Sequence, residues 1–442
     1  MLPAPLCLIE GSGELPPEAD VVVIGAGIIG SFAAYYLAKQ GLKVALVEKG
    51  VVGGEQSSRN WGWCRQQNRD ARELPLVTRS LDLWEEFSRE TGEDTGFRRC
   101  GLFYVSNDEA ELGGWAQWGE FARTVGVVSH VLGAREATDR AAFTGQSWRG
   151  GVFSPTDGTA NPGLAAPAVA RALKTLGGTV HQGCAARGVE TSAGAVTAVV
   201  TEKGVIRTKL AVMAGGAWAS SFFHQYGVRF PQATVRQSIV AVATDGRPLP
   251  GAFYGDSISI TRRGEGRHVL AISGRARVDP TPQFLRFHRE FIPMFARRWR
   301  KVSPGGLQGW LSGHEGLGRW SLDRPTPMEA MRILDPAVDA TGIRLTRKRA
   351  AALVPAVGSA PVLGSWAGFV DSTPDGVPTI SEIPSMGGLI VAAGFSGHGF
   401  GIGPGAGRLI ADMVSGSPPI VDPRPFSLSR FGGAGEVQVA EF

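Results

Sequence analysis

The apolar positions of this chain fall into short blocks instead of long stripes. "VVVI" (Val21–Ile24) is too short for a helix and apolar at every position, the mark of a strand covered on both faces. Residues 31–40 then carry apolar side chains at helical spacing and stop at Gly41, and Val44–Val47 is a second buried strand that ends on Glu48. Further on, Asn161 as cap, Pro162 at the first position and the pair Gly177 and Gly178 predict another helix. Strands are expected at 179–182 and at Ala195–Thr201, and over "KLAVMAGG", which runs into Gly215 and Gly216. Between about residues 235 and 274 the period changes to two, with a hairpin turned by "GEG". Phe284, Phe287, Phe291 and Phe295 recur at three or four and predict a core-facing helical stripe, although arginines lie between them. "RLTRKRA" is read as a solvated helix face in the same way. Near the end a strand leads into "GFSGHGFGIGPGAG", seven glycines in fourteen residues, and then into the helical "GRLIADMVSG". A glycine loop that feeds a helix N-terminus is a place for an anion.

The first strand, helix and second strand enclose Gly25, Gly27 and Gly30 in the spacing GxGxxG, with Glu48 at the end of the second strand. Each residue type answers a physical demand: Gly25 makes the turn, Gly27 lets backbone approach a pyrophosphate, Gly30 lets helix meet strand, and Glu48 accepts from ribose hydroxyls. A dinucleotide is expected here. "GGEQSSRNWGWCRQQNRD" follows and runs back toward the same cleft; Ser57, Ser58, Arg59 and Asn60 are candidate donors, Trp61 and Trp63 candidate walls. The remaining candidate cofactor contacts are Ile28, Lys49, Gly62, Val189, Gly215, Trp218, Gly394, Gly397, His398, Gly399, Phe400 and Gly401.

At 442 residues two domains are expected. A net charge of +5 is too mild to imply nucleic acid. Four scattered cysteines without CxxC and seven histidines without HxH or HExxH argue against zinc and against a disulfide framework. No apolar run reaches membrane-spanning length and the start lacks the basic region of a signal peptide, so a cytoplasmic protein is expected.

Five pieces in this order, residues 25–48, "DGTANP", "VMAGGAWAS", "STPDGVP" and above all "AGFSGHGF", resemble the flavin-dependent amine and amino-acid oxidoreductases that include D-amino-acid oxidase, glycine oxidase and monomeric sarcosine oxidase. The resemblance runs nearly end to end. It implies FAD in an α/β Rossmann-type three-layer domain assembled from 18–92, 148–232 and 362–425, with an α+β substrate domain on a mixed or antiparallel sheet from 93–147 and 233–361. It also implies that the C-terminal glycine loop directs backbone N–H groups at the O2 and N1 side of the ring, where negative charge develops on reduction.

Departures from the family pattern bear on the substrate. The arginine that holds a substrate carboxylate in "GxRP" is replaced by Gly368, Phe369, Val370 and Asp371, and the lysine after "SGHGF" by Gly401. The covalent flavin cysteine falls at about Gly368, so the FAD is expected to be non-covalent, and the lysine that serves oxygen has no counterpart in "VLAIS". Arg65 and Arg59 are the candidate carboxylate anchors; Asp371 facing a cationic group is the alternative. The expected reaction is oxidation of the C–N bond of a small amine or amino acid, hydride passing to flavin N5 and the imine hydrolysing. His398, Arg65 and the Gly397 carbonyl are the candidate catalytic residues. The acceptor is oxygen, a quinone or a partner protein, with oxygen expected to be slow; Arg262 or Arg263 is the one substitute for the missing lysine. Two rivals are a flavin-binding subunit or assembly factor of a hetero-oligomer, and an NADPH-dependent hydroxylase, for which no second nucleotide motif is found.

Overall fold

The computed structural model describes residues 4–244, 249–307, 318–432 and 438–440. Val21–Ile24 lies at the centre of a six-stranded sheet, parallel to Val44–Val47 on one side and Ala211–Met213 on the other. Thr179–His181 and Leu389–Ala393 extend it in parallel, and Thr379–Glu382 adds an antiparallel edge. The central strands are apolar at every position because both faces are covered. Helices Ile28–Lys39, Leu74–Thr91, Ala165–Thr175 and Gly399–Ser415 pack on one face. On the other lies the meander Ala186–Ser192, Ala195–Thr201 and Gly204–Arg207, joined to the sheet through Val22, Ala45, Val189 and Val199. Three layers result, the architecture expected from sequence.

The second half is a mixed sheet, ten-stranded among the described residues, in which Ala233–Ala243 lies toward one end. Val362–Ser372 pairs antiparallel along nearly all of that strand, and Arg267–Ile272 and Ile258–Arg262 form the expected "GEG" hairpin. Helix Ala340–Leu353 seals its outer face through Ala350 and Leu353 against Val240, Leu270 and Ile260. Gly150–Ser154 and Val362–Ser372 both belong to this sheet, which puts them across the boundaries drawn from sequence at 148 and 362.

Three sequence expectations shift, each for a local reason. The helix read from Asn161 begins at Ala165, because the Asn161 side chain accepts from Gly163 N and its carbonyl receives the N–H groups of Leu164 and Ala165, making a turn first. The phenylalanine stripe is split between Pro282–Phe287 and Ile292–Arg298, with Pro293 in the first turn of the second helix. Phe287 and Phe291 are buried beside Ala233, whereas Phe295 is 57% exposed.

The third concerns the glycine run, which is only half loop. Its helix starts at Gly399, so Gly401, Gly403, Gly405 and Gly407 lie inside it and serve packing. A Cβ at Gly403 would stand 2.9 Å from Ile28 Cγ1, and one at Gly407 would stand 2.5 Å from the Phe32 carbonyl carbon. Ser80 donates to Ile402 O and accepts from Gly405 N, each at 2.9 Å, which ties this helix to Leu74–Thr91. Gly407→Ala is therefore expected to lower stability by about 1–3 kcal/mol through overpacking. Thermal unfolding checks it, and an unchanged midpoint would contradict the close helix contact.

Candidate functional site

The carboxyl ends of Val21–Ile24, Val44–Val47 and Ala211–Met213 open into one cleft that extends to Val362–Ser372 of the large sheet. Such a position, beyond the carboxyl ends of parallel strands, is where open α/β sheets bind ligands. Gly25, Gly27, Ile28 and Glu48 line it at one end together with Ser57 and Gly215, which adjoin the glycine turn; Lys49, Arg59, Asn60, Trp218, Gly397, Gly399 and Phe400 also line it, whereas Arg65, Arg69 and His398 do not.

At the first end Gly25 turns with φ +101°, and a Cβ there would stand 2.6 Å from Ala214 O. Gly30 is out of the cleft, pressed against the Gly25 carbonyl, so it serves the helix–strand contact alone. The Glu48 carboxylate accepts from Ala26 N and Gly50 N at 2.8 Å each, and burial pushes its pKa up. Ser57 Oγ accepts from Ile28 N at 2.8 Å, placing a hydroxyl at the start of the first helix. Lys49 lines the cleft with its ammonium occupied: it pairs with Glu55, donates to Met331 O and Arg332 O, and stands 4.6 Å over the Trp218 ring. Val189 is displaced from the cleft by strand register. Its backbone N–H donates to Tyr226 Oη, and Ala186, three residues earlier, takes the lining position.

The loop after Glu48 fastens the two halves together. Arg59 is 3% exposed and donates to Asp335 and to Ala367 O, both at 2.8 Å, so its charge is not available to a substrate anion; that expectation is corrected. Ser58 Oγ donates to Glu55 O and faces away from the cleft, and Asn60 braces its own turn through Ser57 O and Gly62 N. Gly62 lies where Arg263 crosses to donate to Ala160 O and Asn60 O. Arg262 is exposed. Trp61 packs with Ile239, Val269, Ala271 and Trp366, while Trp63 donates to Thr261 Oγ1 at 2.7 Å and stacks on Tyr104.

The far end is held by Asp371, whose Oδ2 accepts from Gly394 N at 2.7 Å and from Gln232 Nε2 at 3.3 Å. Burial raises its pKa to about 6. Asp371 braces the glycine loop and also lines the cleft. Gly397 turns with φ +85° and Gly399 begins the helix, so free N–H groups of a helix N-terminus border the cleft. Gly401 sits outside, its α-carbon backed against Cys64.

Behind that loop lies a charged cluster that sequence reading recognised only in part. His398 Nδ1 contacts both oxygens of Glu73, at 2.8 and 3.1 Å. Glu73 is 0% exposed. Arg65 is half-buried, donates to Gln67 O and hydrogen-bonds Tyr104, which in turn neighbours Arg69. Arg69 is 3% exposed; its Nε donates to Arg65 O at 3.3 Å and its Nη1 has no partner. Asp157 sits alongside, accepting from Gln66 N and Gln67 N, with burial raising it to about 6. Burial and the Arg69 charge hold His398 down to about 4, so the imidazole is neutral near pH 7. Arg69 and Glu73 were missed because "NRDAREL" reads as an ordinary polar entry to a helix; nothing local marks two of its charges as buried.

A Rossmann-type cleft with a phosphate-type glycine turn at one end and a helix N-terminus at the other defines a dinucleotide-binding oxidoreductase. The glycine turn and the helix N-terminus border one cleft, as an extended dinucleotide requires, and the buried Gln56 Oε1 on its wall has no hydrogen-bond partner. Residues 20–413 match the family model of FAD-dependent oxidoreductases, and the chain belongs to that family; its cofactor is FAD. Glycine oxidase of Geobacillus kaustophilus is 27% identical over 94% of this chain and 97% of its own length. Human mitochondrial sarcosine dehydrogenase is 25% identical over 95% of this chain, which spans 42% of that longer protein. Among solved structures, the L-amino acid deaminase of Proteus myxofaciens, in complex with anthranilate, superposes with a TM-score of 0.92 at 29% identity, over 97% of each chain. These relatives carry the C–N bond chemistry expected from sequence. Among the described residues no helix is long and apolar enough to cross a membrane.

Proposed function

We propose that this chain binds FAD non-covalently and oxidises the C–N bond of a small α-amino acid. The observation that carries the amino-acid choice is the pair Arg65 and Arg69 behind the loop that borders the cleft: Arg65 is half-buried, and Arg69 is buried with no partner at Nη1. A buried guanidinium edge with no partner is costly unless an anion completes it. The anthranilate of the deaminase complex, an aromatic carboxylate, agrees with that choice.

Gly25, Gly27, Ser57 and the first helix would hold the pyrophosphate, Glu48 the ribose, and the Gly397 to Phe400 turn the ring. When bound, FAD supplies the hydride acceptor. The protein's part is placement. Arg65 would hold the carboxylate with Arg69 behind it, the Gly397 carbonyl would receive an amine N–H, and His398 would orient the substrate from its place on Glu73. Trp63 and Tyr104, stacked with ring centroids 5.9 Å apart, shield that side from water.

Gly368 stands at the position of the family's covalent cysteine, so acid or heat is expected to release FAD into the supernatant; colour retained on the precipitate would overturn the non-covalent link. Arg65→Ala is expected to raise KM for the amino acid about 10- to 150-fold, the equivalent of a charge-assisted hydrogen bond of roughly 1.5–3 kcal/mol. KM for the matching decarboxylated amine should not move, and equal losses on both would contradict a carboxylate role. Arg263 is spent on backbone carbonyls and Arg262 is exposed, which supports an acceptor other than oxygen. In stopped flow, substrate-reduced enzyme is expected to reoxidise slowly in air and quickly with a quinone dye. Fast reoxidation with stoichiometric peroxide would reverse that assignment.

A further inference from the structure

We propose that residues 4–19 form a latch that slows the release of FAD, by fastening the loop that walls the cofactor cleft to both halves of the molecule. The inference rests on the reading that the FAD is bound non-covalently. This arm has no helix or strand of its own, only a bridge at Glu18, yet it is held along its length. Pro17 O accepts from Arg207 N and Ala19 N donates to Arg207 O, at 3.0 Å each, which ties the arm to the meander. Ser12 N donates to Val180 O at 2.6 Å and Ser12 Oγ accepts from Val180 N at 2.9 Å. Thr179–His181 is the edge of the six-stranded sheet, so the arm covers that edge. Gln182 then joins the arm to the cleft wall: its Nε2 donates to Ile9 O at 2.9 Å, and its Oε1 accepts from Val52 N at 2.8 Å. Gly53, the next residue, lines the cleft and donates its N–H to Ala26 O, inside the glycine turn, at 2.9 Å. Leu6 lies over it: a Cβ on Gly53 would stand 3.4 Å from Leu6 Cδ1.

Ala4 completes the crossing. It is 3% exposed and packs with Ile239, Val269, Ala271 and Trp366 of the large sheet and with Trp61. Helix Ala340–Leu353 seals the opposite face of that sheet, so the seat of Ala4 is on the face turned to the nucleotide-type half. Trp366 and Gly368 are two apart on one strand and share a face, and Gly368 lines the cleft. Asn60, next to Trp61, lines it too. The arm thus grips the wall loop at both of its ends, Val52 with Gly53 and Trp61, and anchors it to the meander on one side and to the large sheet on the other. A dinucleotide lying between this loop and the glycine turn leaves only when the two part, and they part only when the arm lifts. Arg59, bonded to Asp335 and Ala367 O, still joins the halves when it does, so lifting the arm opens the cleft without unfolding the chain. The coupling is reciprocal: FAD in the cleft holds the loop where the arm needs it, so the arm docks more firmly on the holoprotein than on the apoprotein.

The test follows FAD release from diluted holoprotein by the rise in flavin fluorescence. Ala4→Glu, which forces a carboxylate into an apolar seat, is expected to release FAD roughly 5- to 150-fold faster than wild type, the usual span of coupling between two sites. Leu8→Ser alters a side chain that is 63% exposed and is expected to leave the rate unchanged. If circular dichroism shows that Ala4→Glu is unfolded, Ser12→Pro, which removes the N–H that bonds Val180 O, is measured in its place. On the wild-type protein a Glu-specific protease reads the reciprocal effect at Glu10 and Glu14, both exposed, and cutting is expected to be faster in apoprotein than in holoprotein. That comparison decides the matter if neither variant folds. FAD release from a folded arm variant at the wild-type rate, or equal cutting with and without FAD, would overturn the latch and leave the cofactor reading intact. Colour retained on acid-precipitated wild-type protein would overturn the non-covalent reading and the latch with it.

Discussion

The site depends on how closely the helix Gly399–Ser415 approaches Ile28–Lys39. At Gly407 the two backbones come so near that no Cβ fits, and Gly403 lies against Ile28 in the same groove. That approach sets the height at which the later helix begins, so its N-terminal N–H groups emerge at the same cleft as the glycine turn after Val21–Ile24. Asp371 then holds the loop in front of the helix from the opposite side, through Gly394 N, and joins the large sheet to the nucleotide-type sheet. Glycines that a ligand alone would explain are in good part answering helix packing.

The same helix pair carries the electrostatics. With Ser80 and Trp84 bonded to the backbone of Gly399–Ser415, Glu73 at the head of Leu74–Thr91 can meet only the residue at the head of the other helix, His398. A carboxylate with no exposure is tolerated because a donor and several guanidiniums surround it. The outcome is a neutral histidine between a buried cation and a buried anion, a pairing whose balance any charged ligand disturbs. Arg59, earlier in the loop, is bonded through its Nη1 to Asp335 and Ala367 O and acts as a structural tie between the halves.

Much was legible in the chain itself, and the residues concerned share a feature. Val21–Ile24, Gly25, Gly27, Glu48 and the "GEG" hairpin act through contacts within some thirty residues, where periodicity and turn chemistry specify geometry almost alone. Val189 was off by three residues because strand register, which decides which residue faces the cleft, is settled by pairing with Ala195–Thr201 and by Tyr226. The helix start at Gly399 was misplaced because glycine and proline content argues for loop, and helix packing overrode that propensity.

The sequence by itself determined the dinucleotide cleft and the parallel strands around it, because these are written in local spacing that backbone geometry must obey, and its resemblance to a family carried the chemistry. Tertiary structure alone decided what each arginine is bonded to. Arg59, Arg65, Arg69 and Arg263 are alike as letters, and what separates them is the partner that folding brings: a carboxylate, Asp335, for Arg59, and backbone carbonyls alone for Arg263 and for the Nε of Arg69. A charge's role is set by what lies within a few ångströms of it, and for Arg59 and Arg263 those neighbours stand tens to hundreds of positions away in the chain.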